Sequence, residues 1–214
     1  LQGTTTISVT VSDGTLTAND TFVLTVNPPD APTVSDIPNQ SIAEDTTLAP
    51  VAFTVGDDTP LSSLVVTAQS SDQTLVPNGA LVLAGSGASR TIAATPVANR
   101  NGETTITITV RDGTNLEAQD SFVLTVTRVN DTPTLAAIGP QSTSEDTARD
   151  VVLTLGDVDL ADAPADELAV AVTSSNATLV PNAPANLQVL GSGTTRTLRI
   201  TPAPDQSGNA QITV

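Results

Sequence analysis

The sequence predicts an all-β fold made of tandem β-sandwich repeats, each about 100 residues long. Two segments place apolar residues at every second position, as expected of a strand with one buried face. Residues Thr104–Val110 read Thr-Thr-Ile-Thr-Ile-Thr-Val, and residues Ser121–Val126 read Ser-Phe-Val-Leu-Thr-Val. Helical periodicity is missing, and Gly and Pro interrupt the chain at short intervals. Short strands with this spacing are typical of a sandwich or a barrel.

Internal repetition is the second observation behind this fold class. Several short motifs return about one hundred residues later, which indicates whole domains in series and not the coils of a solenoid. The recurring pairs are Asp30–Thr33 with Asp131–Thr134, Glu44–Thr46 with Glu145–Thr147, Thr74–Asn78 with Thr178–Asn182, and Phe22–Val26 with Phe122–Val126.

Taken in order, the repeats divide the chain into three parts. We predict that residues 1–29 are the last two strands of a preceding repeat and that residues 30–129 form one complete repeat. Residues 130–214 are expected to form a third repeat that stops inside its second-last strand. We expect the hairpin turn Asp112-Gly113 before the final strand to use positive φ. The predicted strands of the complete repeat are Thr33–Ala43, Val51–Val55, Leu64–Gln69, Ala80–Leu83, Arg90–Thr95, Thr104–Arg111 and Ser121–Thr127.

Composition narrows the possible functions. The chain has no Cys, Met, Trp, Tyr or His, and its seven basic residues are all Arg. Without His, Cys or Lys we expect no zinc site, no nucleophile activated by His, and no Schiff base, so we predict that the chain is not an enzyme. A net charge of −16 disfavours nucleic acid and anionic membrane surfaces as partners. No apolar run is long enough to span a bilayer.

Three motifs carry a resemblance to a known family: the linker Val129–Pro133, the Glu44-Asp-Thr46 turn, and Asp157-Val-Asp159. They resemble the bacterial cadherin-like and immunoglobulin-like tandem repeats of large secreted adhesins and surface proteins. The resemblance implies an extracellular, secreted or cell-surface location and a structural role in a stalk, an adhesin or a filament. It also implies calcium at the junctions between domains.

The acidic residues make that calcium expectation specific. Alternate loops of a sandwich lie at opposite poles, so we expect one junction to collect oxygen donors from two neighbouring repeats. Calcium is held by six to eight such oxygens. The alternative is that each acid is solvated or caps its own loop, with Asp45 and Asp146 bonding their own backbone in Asx turns. The candidate metal ligands at the second junction are Glu44, Asn130, Asp131, Asp157, Asp159 and Asp162.

The first junction is predicted to differ from the second. Its loop, Gly56-Asp57-Asp58, lacks the spaced Asp-x-Asp pair, and its linker is Asn27-Pro28-Pro29-Asp30. We therefore expect calcium at the second junction only, with the two prolines stiffening the first linker.

The incomplete repeats pose a further question, because residues 1–29 contain the kind of strand that the third repeat lacks. Either neighbouring repeats of a longer chain complete both ends, or separate copies complement one another head to tail. Residues 3–9 and 208–214 duplicate one strand, which favours the first explanation. The expected partners are thus neighbouring repeats or copies of the chain itself. A different function, binding a surface carbohydrate or protein through the loop Asp157–Glu167, is the alternative.

Overall fold

The computed structural model describes residues 2–161 and 168–214, and its contacts divide the chain into two units, Leu1–Arg128 and Val129–Val214. We number the strands in chain order. Those of the first unit are β1 (Gly3–Ser12), β2 (Thr17–Val26), β3 (Thr33–Val34), β4 (Gln40–Ala43), β5 (Leu48–Gly56), β6 (Val65–Ser70), β7 (Leu81–Ser86), β8 (Ser89–Ala94), β9 (Gly102–Arg111) and β10 (Glu117–Thr127). Those of the second are β11 (Thr134–Leu135), β12 (Arg149–Gly156), β13 (Thr173–Ser174), β14 (Leu187–Leu190), β15 (Thr195–Ile200) and β16 (Ile212–Thr213).

The first unit contains a complete sandwich of two four-stranded sheets. One sheet has the order β3-β5-β8-β7 and the other has the order β4-β10-β9-β6. Strands β9 and β10 are antiparallel over ten residue pairs, and every second side chain is buried in β9 from Thr104 and in β10 from Phe122. The alternation read from the sequence therefore marks the inner face of this sheet. The fold class is confirmed: the protein is all-β and is built from immunoglobulin-like sandwiches.

One hydrophobic core lies between these two sheets. Phe122 is 1% exposed, and Leu124, Ile106 and Ile92 are fully enclosed. A core packed from both inner faces is the source of stability in a sandwich of this size, because burial of apolar area drives folding. The other buried members are Ile37, Leu48, Phe53, Val55, Leu64, Leu75, Val76, Ala94, Ile108, Val110 and Val126.

The first predicted strand of the complete repeat, Thr33–Ala43, is interrupted, so that prediction was wrong in its extent. The chain pairs with β5 as β3 and then crosses to the other sheet, where β4 runs parallel to β10. The intervening residues include Pro38, which has no N–H to donate to a ladder. The N–H of Ile37 instead donates to the Asp120 carboxylate of β10 at 2.8 Å.

The hairpin β1–β2 has the pairing of β9–β10 without a sheet of its own to join. Its two strands are antiparallel over ten pairs, from Gly3 facing Val26 to Ser12 facing Thr17. Apart from half-buried Ile7, the strand residues are exposed. Phe22 is 55% exposed, although the equivalent Phe122 is 1% exposed.

The turn at Asp112-Gly113 forms as predicted, but positive φ is not located at its glycine. The residue with positive φ is Asn115, at 69°. The carboxylate of Asp112 accepts the N–H groups of Thr114 and Leu116 at 2.9 and 2.8 Å, which fixes the turn through side-chain hydrogen bonds. In the β1–β2 hairpin the equivalent glycine, Gly14, does take this conformation, with φ of 96°.

The second unit has a four-stranded sheet facing a sheet of only two strands. The orders are β11-β12-β15-β14 and β13-β16. Leu153 and Leu198 are buried, whereas Ile138 is 38% exposed and its counterpart in the first unit, Ile37, is 2% exposed. A groove of about 600 Å³ opens beside these residues. Among the described residues of the second unit, part of this core is therefore left uncovered. No helix among the described residues is long and apolar enough to cross a membrane.

Candidate functional site

In the second unit, hydrogen bonds join three of the predicted calcium ligands, Asp131, Asp157 and Asp159. Asp157 follows the end of β12, and Asp159 lies in the short 3-10 helix Val158–Ala161. The N–H of Asp159 donates to Asp157 Oδ1 at 3.0 Å, and the N–H of Asp131 donates to Asp159 Oδ2 at 2.6 Å. The side chain of Asp159 is 5% exposed. The loop and the linker are therefore joined through a buried carboxylate.

One oxygen of this group has no hydrogen-bond partner. Asp131 Oδ2 is buried, and nothing among the described residues donates to it. An ionised oxygen left in this state is costly unless a proton, a water or a cation meets it. Carboxylate oxygens are the donors that Ca²⁺ prefers, so the chemistry of the group fits such an ion. The part of the chain that the structure describes contains no cluster of three or more acidic side chains arranged to hold a metal.

Of the other three predicted ligands, one belongs to the first unit, one is in the linker, and one lies outside the described residues. Glu44 belongs to the first unit, is 3% exposed, and donates its N–H to the Thr127 carbonyl at 2.8 Å. Asn130 is exposed, and its side-chain amide donates to the carbonyl of Asp131 at 3.2 Å. Asp162 is outside the described residues, as is the end of the loop Asp157–Glu167.

The first unit has a corresponding acidic group that sequence comparison missed. The N–H of Asp30 donates to Asp58 Oδ2 at 3.4 Å, matching the bond from Asp131 to Asp159. Asp57 accepts from the Thr59 hydroxyl, and its Oδ1 is buried without a partner among the described residues. The sequence spacing could have revealed this group, because in both units the acceptor aspartate follows the linker aspartate by 28 residues.

The same hydrogen bond, from a threonine side chain to a glycine carbonyl, holds the start of both acidic loops in place. The hydroxyls of Thr33 and Thr134 donate to the carbonyls of Gly56 and Gly156 at 3.3 and 3.2 Å. A Cβ on either glycine would come within 2.8 or 2.7 Å of that hydroxyl oxygen. A larger residue at either position would therefore have to displace the threonine hydroxyl that holds the start of the loop.

Asp45 and Asp146 hold a different loop from the one predicted for them. The Asx turn to their own backbone was wrong, because each carboxylate accepts from a loop far along the chain. Asp45 Oδ1 accepts the N–H of Asn99 at 2.9 Å, and Asp146 Oδ1 accepts the N–H of Asp205 at 3.0 Å. Both aspartates have φ of 60°, which their short polar side chains tolerate. In both units, this aspartate therefore joins two loops by a hydrogen bond.

Comparison with known proteins gives a family for the complete repeat. Residues 29–127 match the family model described as a bacterial Ig domain. A comparison with curated proteins gives no match.

Several solved structures are similar to the chain. They include extracellular cadherin domains 1–4 of protocadherin gamma B7, with 15% identity, a TM-score of 0.44, and coverage of 94% of this chain and 49% of that one. Domains 4 and 5 of the S-layer protein SbsC have 22% identity and a TM-score of 0.36, covering 59% of this chain and 60% of that one. Titin domains I67–I69 have 11% identity and a TM-score of 0.40, and the match covers 95% of this chain and 65% of that one. The chain thus spans about half the length of the protocadherin structure. The match to the bacterial Ig domain family covers residues 29–127, which is slightly less than half of the chain.

Proposed function

We propose that this chain is a non-catalytic structural segment of an extracellular stalk, adhesin or filament, in which successive repeats continue one another. The observation that carries the proposal is the hydrogen bond that recurs in both units. The linker aspartate that enters each unit, Asp30 or Asp131, donates its N–H to an acid of that unit's own loop, Asp58 or Asp159. A segment that transmits position along an array needs each linker fixed to the domain that follows it. A chain of independent binding modules has no such requirement.

The remaining acidic chemistry supports the same role. The aspartates Asp45 and Asp146 also bond to backbone N–H groups of neighbouring loops. These carboxylates are used to hold backbone segments in place, and no His, Cys or Lys accompanies them to form an acid–base pair or an activated nucleophile.

We further propose that calcium strengthens the second junction. Asp131, Asp157 and Asp159 would hold the ion, with Asn130, Glu44 and Asp162 as the additional candidate ligands. A bound Ca²⁺ would supply positive charge to carboxylates that are otherwise close to one another in a chain of net charge −16. The buried Oδ2 of Asp131 and the absence of a donor to it among the described residues support this proposal.

Titration of the chain with calcium tests the ion directly. We expect heat of binding in calorimetry, and a melting temperature of the second unit that rises with calcium and falls with chelator. Asp157→Asn should weaken binding at least tenfold. Asp36→Asn is the matched control, since Asp36 is exposed and lies in neither acidic group. If calcium gives no heat and no shift in melting temperature, the ion is excluded.

The linker bond is tested separately by small-angle X-ray scattering of the monomeric chain. Asp159→Ala removes the acceptor of the Asp131 N–H, so we expect scattering from a broader set of conformations than in the wild type. Asp58→Ala should do the same at the first linker. Asp36→Ala should leave the scattering unchanged. If Asp159→Ala and Asp58→Ala both scatter as the wild type does, these bonds do not fix the linkers and the structural proposal fails.

A further inference from the structure

We propose that β7 of the complete repeat pairs with β7 of a second copy of this chain, so that two sandwiches join side by side through one continuous sheet. This contact goes beyond the proposed structural function, which concerns the succession of repeats along one chain. It lies wholly within the sandwich of residues 30–127 and uses neither the linker bonds nor a metal ion.

The sandwich has four edge strands, and the two on one side are protected in the ways that natural sheets use. Strand β3 spans two residues and β4 spans four, and the chain between them contains exposed Asp36 and also Pro38. Short length, charge and proline all hinder the pairing of an edge with another chain. On the other side, β6 and β7 are six residues long and, within the described residues, pair only with β9 and β8. This second side therefore has the longer edges.

A side chain closes the edge of β6. The Ser71 N–H donates to β9, so the N–H of the preceding residue, Ser70, faces the open side. That N–H donates to Asn78 Oδ1 at 2.9 Å. The second unit has the same cap, because the Ser174 N–H donates to Asn182 Oδ1 at 2.6 Å. A strand arriving at β6 would have to displace this asparagine.

The edge of β7 is open at its centre. Directly opposite residues of antiparallel strands alternate between pairs that exchange hydrogen bonds and pairs that do not. The Thr95 N–H donates to the Ala80 carbonyl at 3.2 Å, so Val82 and Ala84 also bond to β8. Leu83 consequently directs its N–H and its carbonyl away from β8. No described residue hydrogen-bonds to these two groups.

These groups fix how two copies of β7 fit together. The neighbouring outward N–H, that of Leu81, is already used, because it donates to the Asn78 carbonyl. An antiparallel pairing of β7 with itself is therefore centred on Leu83, where each copy donates one N–H and accepts one. Faces must match across a continuous sheet, which places Val82 opposite Ala84 of the other copy. A large side chain thus meets a small one on the outer face of the joined sheet.

The side chains of β7 favour a contact over a solvated edge. Val82 is 58% exposed, more than any other large apolar side chain of residues 30–127. Leu81 and Leu83 pack against the core, so the outer face of the strand presents Val82 and Ala84. An edge made of apolar and β-branched residues without charge is a template for a further strand.

Charge identifies the partner as a second copy of this chain. With a net charge of −16, two copies repel one another wherever their acidic surfaces meet. Residues 73–89, which contain β7, include no charged residue. In the second unit residues 168–195, which contain β14, are also uncharged, and the edge strand β14 has Val189 at the position of Leu83. Two copies can approach here without placing carboxylates together, and an antiparallel strand is its own complement.

A contact of this size is weak by itself. Only a few residues per copy pair, which puts the contact at the low end of protein interfaces, below about 1,200 Å² in total. Linked weak contacts gain strength from their effective concentration. We therefore expect weak association of the 214-residue chain and stronger association of chains with more repeats.

Amide hydrogen exchange, followed by NMR over about a hundredfold range of chain concentration, tests this contact at single residues. We expect the Leu83 amide to exchange more slowly as the concentration rises. The Val82 amide bonds to β8 in either state and should not change. Val82→Asp places like charges beside the pairing and should weaken association about tenfold. Val152→Asp is the control: Val152 is 64% exposed in β12, a strand paired on both sides, so the same added charge should leave association unchanged.

Disulfide trapping tests the register, because the chain has no cysteine of its own. Chains with Val82→Cys and with Ala84→Cys, mixed in equal amounts and oxidised, should form mixed dimers in preference to either symmetric dimer, since these positions face one another. Statistical mixing overturns the pairing, as does a Leu83 amide whose exchange is independent of concentration. A Val82→Asp chain that associates like the wild type also overturns it. None of these results bears on the linker bonds, which are tested by scattering of the monomeric chain.

Discussion

Aspartate side chains fix the turns of this fold by accepting hydrogen bonds from backbone N–H groups. Asp13 Oδ1 accepts the N–H groups of Leu16 and Thr15 at 2.7 and 2.9 Å, and these bonds, with that from the Thr15 hydroxyl, lower its pKa to about 2. Burial by itself raises the pKa of Asp112, but the Thr114 hydroxyl and the N–H of Leu116 outweigh it and leave that pKa below its ordinary value. Two equivalent hairpins therefore use the same ionised side chain in the same way.

The pKa of Asp13 predicts how its turn responds to acid. A folded pKa below the ordinary value of 3.8 means that the carboxylate stabilises the turn fully above that value. This stabilisation is lost as the pH falls through about 2. We expect the amide resonance of Leu16, followed by NMR, to titrate with a midpoint near 2. Asp13→Asn should abolish this transition, and a midpoint near 3.8 would contradict the role of the turn bonds.

Single residues also show where reading the sequence stopped short. Asp131, Asp157 and Asp159 were predicted as a group, and the structure brings them into hydrogen-bond contact. Asp58 was missed because it follows Gly56 by two residues, whereas Asp159 follows Gly156 by three. An alignment on the glycine therefore does not match these two aspartates. Glu44 belongs to the first unit, and a local motif carries no information about contacts between residues of different repeats.

At the scale of the strand, identical sequences have different surroundings. Phe22–Val26 and Phe122–Val126 have the same residues and the same hairpin partner arrangement, yet one segment is exposed and the other closes a core. Alternation identified both as strands with an apolar face. It could not say whether that face would be covered, because covering depends on sheets formed by residues distant in the sequence.

This difference predicts unequal costs for the same substitution. Phe122→Ala leaves a cavity in a closed core and should lower the free energy of unfolding of the first unit by about 3–5 kcal/mol. Phe22→Ala should change it by less than about 0.5 kcal/mol, since that side chain is already exposed. Urea unfolding of dilute chain, followed by far-UV circular dichroism, measures both. Equal losses would mean that Phe22 packs against the sandwich of residues 30–127.

The split of the first strand illustrates a second limit at this scale. Thr33–Ala43 reads as one continuous strand, but the chain changes sheets within it. The acceptor for the Ile37 N–H at that crossing is Asp120, 83 residues away. Pro38 was a local signal for an interruption, whereas the destination of the strand after it was not encoded nearby.

At the scale of the whole chain, the two units differ in how well their cores are covered. The larger buried cluster of the first unit contains Phe53 and Phe122, whereas the second unit has no aromatic residue. Its buried residues form two smaller clusters around Leu198 and Val180. Less apolar burial per domain means less stability, because a small domain retains only a narrow margin over its conformational entropy.

Amide hydrogen exchange at increasing urea should therefore separate the two units. In the dilute chain, we expect amides of β12 and β15 to exchange at lower urea than amides of β5 and β8, because the second unit opens first. A single cooperative transition for all four strands would show that the units unfold as one.

The parallel pairing of β4 with β10 has a mechanical consequence. These strands lie near the two ends of the complete repeat and face one another at four positions, from Gln40 opposite Leu124 to Ala43 opposite Thr127. A force pulling the ends of the repeat apart drags the two strands past each other lengthwise, so the four positions bear the load together and do not open one after another. How long the repeat survives under such tension is set by the rate at which this patch ruptures and not by its equilibrium stability. The four-residue strand beside β10 thus sets how the repeat responds to a stretching force.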